Sequence, residues 1–309
     1  MEKKIDVIIN PNAKKFRTGI DSVSNYTIYN SSNVTVSTPE SVKELKEVVK
    51  SCKLNHSDYI CIGGGDGTIH LVISELITAY SPDSVPPILI LKEGTMNNVA
   101  RSVKLKGSGH KLLKRLLNTI EYVNIVETEE RFTLKINDKY CFLFGTGYVV
   151  NFLNQVYSGL EKGFFTNILV GIKAAGDLFR NPKDYRIFSL TEQAIFIDGK
   201  KILINPVSGI LAGTVEHIGM GLSPLREALQ SNSTFQIITI GMNPRGILRF
   251  LNKLRTGKRI KSPKYSNVFG QSILIKNKGI FEYTMDGDIY TAENTLKVDI
   301  GPKITLVKI

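Results

Sequence analysis

The chain has 309 residues, 42% of them hydrophobic, and a formal net charge of +12 from 40 basic and 28 acidic side chains. That length gives two domains as the expectation, and the apolar content excludes a disordered chain; the basic excess favours an anionic partner, whether nucleotide, nucleic acid or acidic membrane surface. Cys52, Cys61 and Cys141 are too few and too far apart for a disulfide framework or a zinc site, and no secretory or bilayer-length apolar run occurs, so a cytoplasmic protein, soluble or peripheral, is expected.

Ile5 to Asn10 reads as a strand closed by Asn10-Pro11-Asn12, with Lys14, Lys15 and Arg17 in the loop beyond it. If that strand is parallel, its loop emerges at the carboxyl edge, where open α/β sheets place ligands. Val34 to Ser37 is a second strand. Thr38-Pro39-Glu40 is a helix start, with Val42, Leu45, Val48 and Val49 on the apolar face. Tyr59 to Ile62 is the third strand, and a helix follows from Ile69. This β-β-α-β-α order implies a mostly parallel sheet.

Between that strand and helix lies Gly63-Gly64-Gly65-Asp66-Gly67-Thr68. Glycines there let backbone N–H groups approach a common point, and a helix N-terminus adds positive partial charge, so the loop suits phosphate. Asp66 then makes sense either as a ligand of a phosphate-bound divalent cation or as a proton acceptor. The plainer reading is a turn that needs glycine for positive φ, with Thr68 as N-cap. The next strand, Ile88 to Leu91, delivers a second small-polar loop from Lys92 to Arg101, which includes Gly94, Thr95, Asn97 and Asn98. Two neighbouring strands would bring Asp66 and Asn97 to one edge, with Arg101 able to neutralise phosphate charge.

A helix carrying Leu112, Leu113, Leu116 and Leu117 leads to a strand expected near Tyr122 to Val126. Beyond it, hairpins are expected over 131–145 and 194–204, and strands at 235–240, 272–276, 280–284 and 296–300. The apolar stretch Val149 to Phe179 reads as a pocket wall for an acyl chain, a membrane contact or a pair of core helices. The basic run from Lys253 to Lys264 follows a helix with Ile247, Leu248 and Leu251 on its apolar side; acidic headgroups or plain solvation would each account for it. Asp286 and Asp288, two residues apart at a strand end, are expected on one side of an extended segment, unless Asp286-Gly287 is a hairpin turn.

The order Asn10-Pro11, Gly64-Gly65-Asp66-Gly67-Thr68, Gly94-Thr95-Met96-Asn97-Asn98-Val99-Ala100-Arg101 and Asp286-Gly287-Asp288 resembles the diacylglycerol kinase catalytic family, which includes bacterial lipid kinases and sphingosine kinases. The resemblance spans nearly the whole chain. It implies an open, mostly parallel α/β nucleotide-binding domain, residues 1–128, and a β-rich antiparallel second domain, 129–309, whose C-terminal tail is able to return to the first. Mg-ATP would be held by Asn10, Gly64, Gly65, Gly67, Thr68, Gly94, Thr95, Asn97 and Arg101. Asp66 would bind Mg²⁺ or act as base, and Asp286 and Asp288 would sit beside the transferred phosphoryl group. Phosphoryl transfer asks mainly for positioning and charge neutralisation.

Several positions depart from the family pattern. Asn98 stands for an Asp, Leu71 beside His70 for a Glu, Asp288 for a Glu, Ser231-Asn232-Ser233 for an acidic pair, and Asn124 for an Asp. The expected function is ATP-dependent phosphorylation of a lipid alcohol at an acidic membrane surface, by a monomer or a homodimer that does not bind nucleic acid. The alternatives are a catalytically impaired lipid- or nucleotide-binding protein of the same fold and an NAD kinase, which shares only the first glycine loop.

Overall fold

The computed structural model describes residues 2–81, 84–157, 189–219, 222–231 and 233–309. Contacts divide the chain into two units: Met1–Phe142, His217–Met220 and Gly301–Ile309 form the first, and Leu143–Glu216 with Gly221–Ile300 the second. The first unit begins with β1 (Ile5–Ile9), the short helices α1 (Lys14–Arg17) and α2 (Ser24–Thr27), and β2 (Val34–Ser37). There follow α3 (Val42–Leu54), β3 (Tyr59–Gly64), α4 (Asp66–Tyr80), β4 (Ile88–Lys92), α5 (Asn98–Ser102) and α6 (Gly109–Tyr122). β5 (Glu127–Ile136) and β6 (Lys139–Cys141) complete the continuous part of the unit.

β1 pairs parallel with both β2 and β3, and β3 pairs parallel with β4. Such strands lie between two layers and need apolar side chains on both faces. Ile5, Val7, Ile8 and Ile9 of β1 are accordingly buried, as are Ile60, Cys61 and Ile62 of β3 and Ile88 to Leu91 of β4; the buried exception is Asp6, whose carboxyl accepts the Ser57 hydroxyl. The three cysteines are free and buried, and burial pushes the Cys52 thiol up to about 12, which suits packing rather than reactivity.

Local chemistry moves two expected boundaries. α3 is capped by Ser41, not Thr38, because Ser41 and Glu44 bond reciprocally: Glu44 N–H donates to Ser41 Oγ at 3.2 Å and the Ser41 hydroxyl to Glu44 Oε1 at 3.1 Å, while Glu44 Oε2 also accepts Glu40 N–H at 2.9 Å. No strand forms over 122–126. α6 runs to Tyr122, and Tyr122, Val123 and Ile125 are more than 60% exposed, so no sheet neighbour covers them. The first unit extends to Phe142 because β5 pairs with β6 and with β14, whose last residues return to this unit.

The second unit contains β7 (Leu143–Thr146), α7 (Tyr148–Tyr157), β8 (Ala194–Ile197), β9 (Lys200–Lys201), β10 (Gly209–Gly213) and β11 (Phe235–Ile240). α8 (Pro244–Thr256), β12 (Tyr265–Gly270), β13 (Ser272–Met285) and β14 (Asp288–Lys308) follow. Its strands run antiparallel in the order β12-β11-β10-β7-β13, with β13 also paired to β8 and to the first part of β14. The two strands expected over 272–284 are one, with a register shift between Lys276 and Ile280. β14 leaves this unit at Ile300 and pairs with β4 in the first, Leu306 lying beside Ile88. The architecture is thus a mostly parallel α/β unit and an antiparallel β-rich one. The expected pocket wall, 149–179, lies from 158 onward outside the described residues. Among the described residues, no helix is long and apolar enough to cross a membrane.

Candidate functional site

Strand order in the parallel sheet runs β2-β1-β3-β4. From β1 the chain moves outward to β2, and from β3 it moves outward the other way to β4, so the order reverses between β1 and β3. Connections diverge there and leave a crevice beyond the carboxyl ends of the strands. Asn10, which follows β1, and Thr68, in the first turn of α4 after β3, meet at this point: Asn10 Nδ2 donates to Thr68 Oγ1 at 2.8 Å. Asn10 Oδ1 accepts Asn12 N–H at 2.8 Å. Both ends of the Asn10 amide are therefore engaged in fixing the loop and aiming Thr68, whose hydroxyl proton remains to be donated.

The first glycine loop does its work through close approach. Gly63 and Gly64 belong to β3, and none of Gly63, Gly64, Gly65 and Gly67 has a positive φ. The turn reading fails on that ground. A Cβ on Gly64 would come 2.5 Å from Thr68 Cβ, and one on Gly94 would come 2.5 Å from Gly65 Cα. The two loops touch backbone to backbone, and only hydrogen fits between them. Gly94→Ala is expected to separate the loops and to cost about 1–3 kcal/mol, read as a lower urea midpoint.

Gly65, not Thr68, is the N-cap of α4, and it has no side chain to offer. The N–H groups of Gly67 and Thr68 consequently point outward without an internal partner. Asp66 is the first residue of the helix, and its Oδ1 accepts Asn98 N–H at 2.9 Å. Burial raises the Asp66 carboxyl to about 6, against the pull of the backbone N–H groups of Asn97 to Val99 and the charge of Arg101. A carboxyl balanced near neutrality is a competent proton acceptor and an incompletely satisfied cation ligand.

In the second loop, Asn97 takes a left-handed conformation with φ 51° and closes the turn on itself. Its Oδ1 accepts Gly94 N–H at 3.1 Å and its Nδ2 donates to Gly94 C=O at 2.8 Å. Thr95 and Arg101 are exposed, and Asn98 is buried with no partner for Oδ1. The structure therefore gathers Asn10, Gly64, Gly65, Asp66, Gly67, Thr68, Gly94, Thr95, Asn97 and Arg101 in the first unit. Asp286 and Asp288 belong to the second.

Asp286 and Asp288 are not alternate residues of one strand. Asp286 and Gly287 are the two central residues of a hairpin turn, both with positive φ, and Met285 pairs with Asp288 across it. The expectation from strand alternation fails because the chain reverses between the two acids. Asp286 is nevertheless only 5% exposed, unlike an ordinary turn Asp: its Oδ1 accepts Leu143 N–H at 2.8 Å, and its own N–H donates to Leu143 C=O at 3.0 Å.

Two features escaped the sequence reading. Glu93, immediately before Gly94, is wholly buried, with Tyr26 O–H donating to its Oε1 at 2.5 Å and Lys15 Nζ 3.8 Å from Oε2. Lys15 also donates to the Lys92 carbonyl. Lys15, Lys92 and Arg101 stand close enough that, beyond burial, the other two cations help depress the Lys92 amine. The available signal was the Lys92-Glu93 pair directly after an apolar strand, where charges are costly unless they serve a site. His70, beside the departure at Leu71, is a core residue whose Nδ1 lies 2.9 Å from the Tyr140 carbonyl.

Residues 4–127 match the model of the diacylglycerol kinase catalytic domain, the segment that carries Asn10, both glycine loops and Asp66. That match covers less than half of the chain and bears out, over Asn10 and both glycine loops, the resemblance read from the sequence. Across the whole chain the fold is that of a diacylglycerol kinase from Bacillus anthracis str. Sterne, at 15% identity and TM-score 0.67, covering 99% of this chain and 97% of that one. Two further structures from the same strain superpose with TM-score 0.68 at 16% and 17% identity and the same coverage. No curated protein sequence matches the chain.

Proposed function

We propose that the protein is an ATP-dependent lipid kinase, transferring the γ-phosphoryl group to the hydroxyl of a lipid alcohol. The observation that carries the reading is the uncapped N-terminus of α4 at the switch point of the parallel sheet, with the Thr68 hydroxyl and the Asp66 carboxylate on the same turn. The match to the catalytic domain supports it. Gly67 and Thr68 N–H groups and the Thr68 hydroxyl would bind phosphate oxygens, while Lys15, Lys92 and Arg101 supply the surrounding positive charge.

The residues present fit Mg-ATP. Among the described residues there is no cluster of three metal-ligating side chains, but Mg²⁺ keeps most of its waters and needs only one or two carboxylates beside the phosphates. Asp66 is the carboxylate that would hold it, and the ion would neutralise developing charge on the phosphate oxygens. Asp66 is alternatively the acceptor of the lipid hydroxyl proton. Asp286 and Asp288 are assigned beside the transferred group through the family resemblance.

The test is transfer of label from γ-labelled Mg-ATP into a chloroform-extractable product, with a panel of lipid alcohols and with NAD beside it. Label in one lipid is expected, lost in Asp66→Asn and reduced in Asp288→Asn. Label in NAD alone would overturn the proposal. A second reading, nucleotide binding without turnover, is favoured by Asn98, whose buried Oδ1 lacks a partner at the position where the family pattern has an acid. ATP binding with no labelled product would select it.

A further inference from the structure

We propose that one face of α8 and the segment after it form a docking surface for an anionic lipid bilayer. The inference stands apart from the kinase reading and rests on charge distribution. Between Glu227 and Glu282 the chain contains ten basic residues and no acidic one, which is nearly all of its formal excess of 12. Arg245, Arg249 and Lys253 are exposed and recur every fourth residue, so they fall along one side of the helix at a spacing of about 6 Å. Lys258, Arg259 and Lys261 continue the exposed positive surface beyond the helix end.

Ordinary helix electrostatics do not account for this pattern. Lys253 and Arg255 in the last turn complement the helix dipole, but Arg245 lies in the first turn, where a cation is unfavourable, and Arg249 lies in the middle. Among the described residues, Arg245, Arg249, Lys253, Lys258, Arg259 and Lys261 form no ion pair. They contrast with Lys46 and Lys50 of α3, whose amines lie 3.9 Å from Glu75 and 2.8 Å from Glu47. Uncompensated like charges held in a row repel one another and persist where an external anion relieves them.

The chemistry favours a bilayer over a nucleic acid. The Arg249 guanidinium and the Lys253 ammonium lie 5.7 Å and 5.9 Å from the centre of the half-buried Phe250 ring. Cations beside one aromatic on an amphipathic helix suit the headgroup boundary, where charges meet phosphate and the ring meets acyl chain. Among the described residues, no row of exposed aromatics follows the charges to stack bases.

The experiment is sedimentation of the full chain, without nucleotide, with phosphatidylcholine vesicles and with vesicles also containing phosphatidylglycerol. Binding is expected only to the anionic vesicles and is expected to fall steeply at high salt. The triple variant Arg245→Gln, Arg249→Gln, Lys253→Gln should lose roughly a hundredfold in partitioning, at about fivefold per charge near the surface. A matched variant, Lys43→Gln, Lys46→Gln, Lys50→Gln on α3, should bind as the parent does, with circular dichroism verifying the fold of both. Absence of parental binding, equal loss in both variants, or displacement from vesicles by a short duplex that binds more tightly would each overturn the proposal.

Discussion

Asp66→Asn should abolish phosphoryl transfer and, at alkaline pH, make the protein more stable. The loss of transfer is expected at a hundredfold to ten-thousandfold, the range for removing a positioned proton acceptor. The gain in stability follows from the raised carboxyl. In the folded chain Asp66 titrates at about 6, against 3.8 for an ordinary Asp. A group with a raised folded value favours the folded state fully below the unfolded value, and that contribution is lost as pH rises through the folded value. Above about pH 7 the ionised, half-buried carboxylate therefore costs about 2 kcal/mol, with its partial exposure limiting the figure. The Asn variant keeps an oxygen for Asn98 N–H without the charge. Urea titrations at pH 8 and pH 4 measure the effect: the variant should be more stable at the first and equal to the parent at the second. A variant less stable at pH 8 would mean that the carboxylate's bonds to the second loop outweigh its burial.

Tyr26→Phe should be the most destabilising conservative change in the first unit. The Tyr26 hydroxyl donates to Glu93 Oε1 at 2.5 Å, at the short end of the range for an O–H···O hydrogen bond. Glu93 has no exposed surface, and its Oε2 has no hydrogen-bond partner. Removing the hydroxyl would leave both carboxylate oxygens without a hydrogen bond in a buried site, at a cost of about 2–4 kcal/mol. The ring would stay, including its edge contact with Phe16 at 6.0 Å, so the change isolates the hydrogen bond. Glu93→Gln provides the cross-check, since a neutral amide removes the charge and should recover part of the loss when combined with Tyr26→Phe. Glu93 immediately precedes Gly94, so the single variant should also weaken nucleotide binding, by loosening the contact between Gly94 and Gly65.

Much of the site was legible in the sequence because its information is local. A run of apolar residues followed by glycines, an acid and a helical pattern specifies a strand, a close approach and a helix, whatever packs around them; the helix begins at Asp66, three residues before the expected start at Ile69, so that Asp66 and Thr68 both lie in its first turn. The second loop was legible for the same reason, and the antiparallel character of the later strands followed from their turns and short apolar runs. Local reasoning failed where two local rules competed. Thr38-Pro39 and Ser41-Glu44 both resemble helix starts, and the reciprocal hydrogen bonds of the second decide. At Asp286-Gly287-Asp288 the hairpin turn prevails over strand alternation, which separates two acids that an extended chain would align.

The sequence by itself determined the parallel and antiparallel units and the residues of both glycine loops, because periodicity, turn residues and motif order are properties of neighbours along the chain. Only the tertiary structure decided that β1 and β3 are adjacent and that Asn10 therefore holds Thr68. It also decided that Gly64 and Gly94 are glycines for lack of space, and that Glu93 is buried against Tyr26 from 67 positions away. Those facts depend on strand order, burial and contact between distant segments, which no window of sequence contains. The raised carboxyl of Asp66 has the same origin, since desolvation is set by what surrounds a group, not by what adjoins it in the chain.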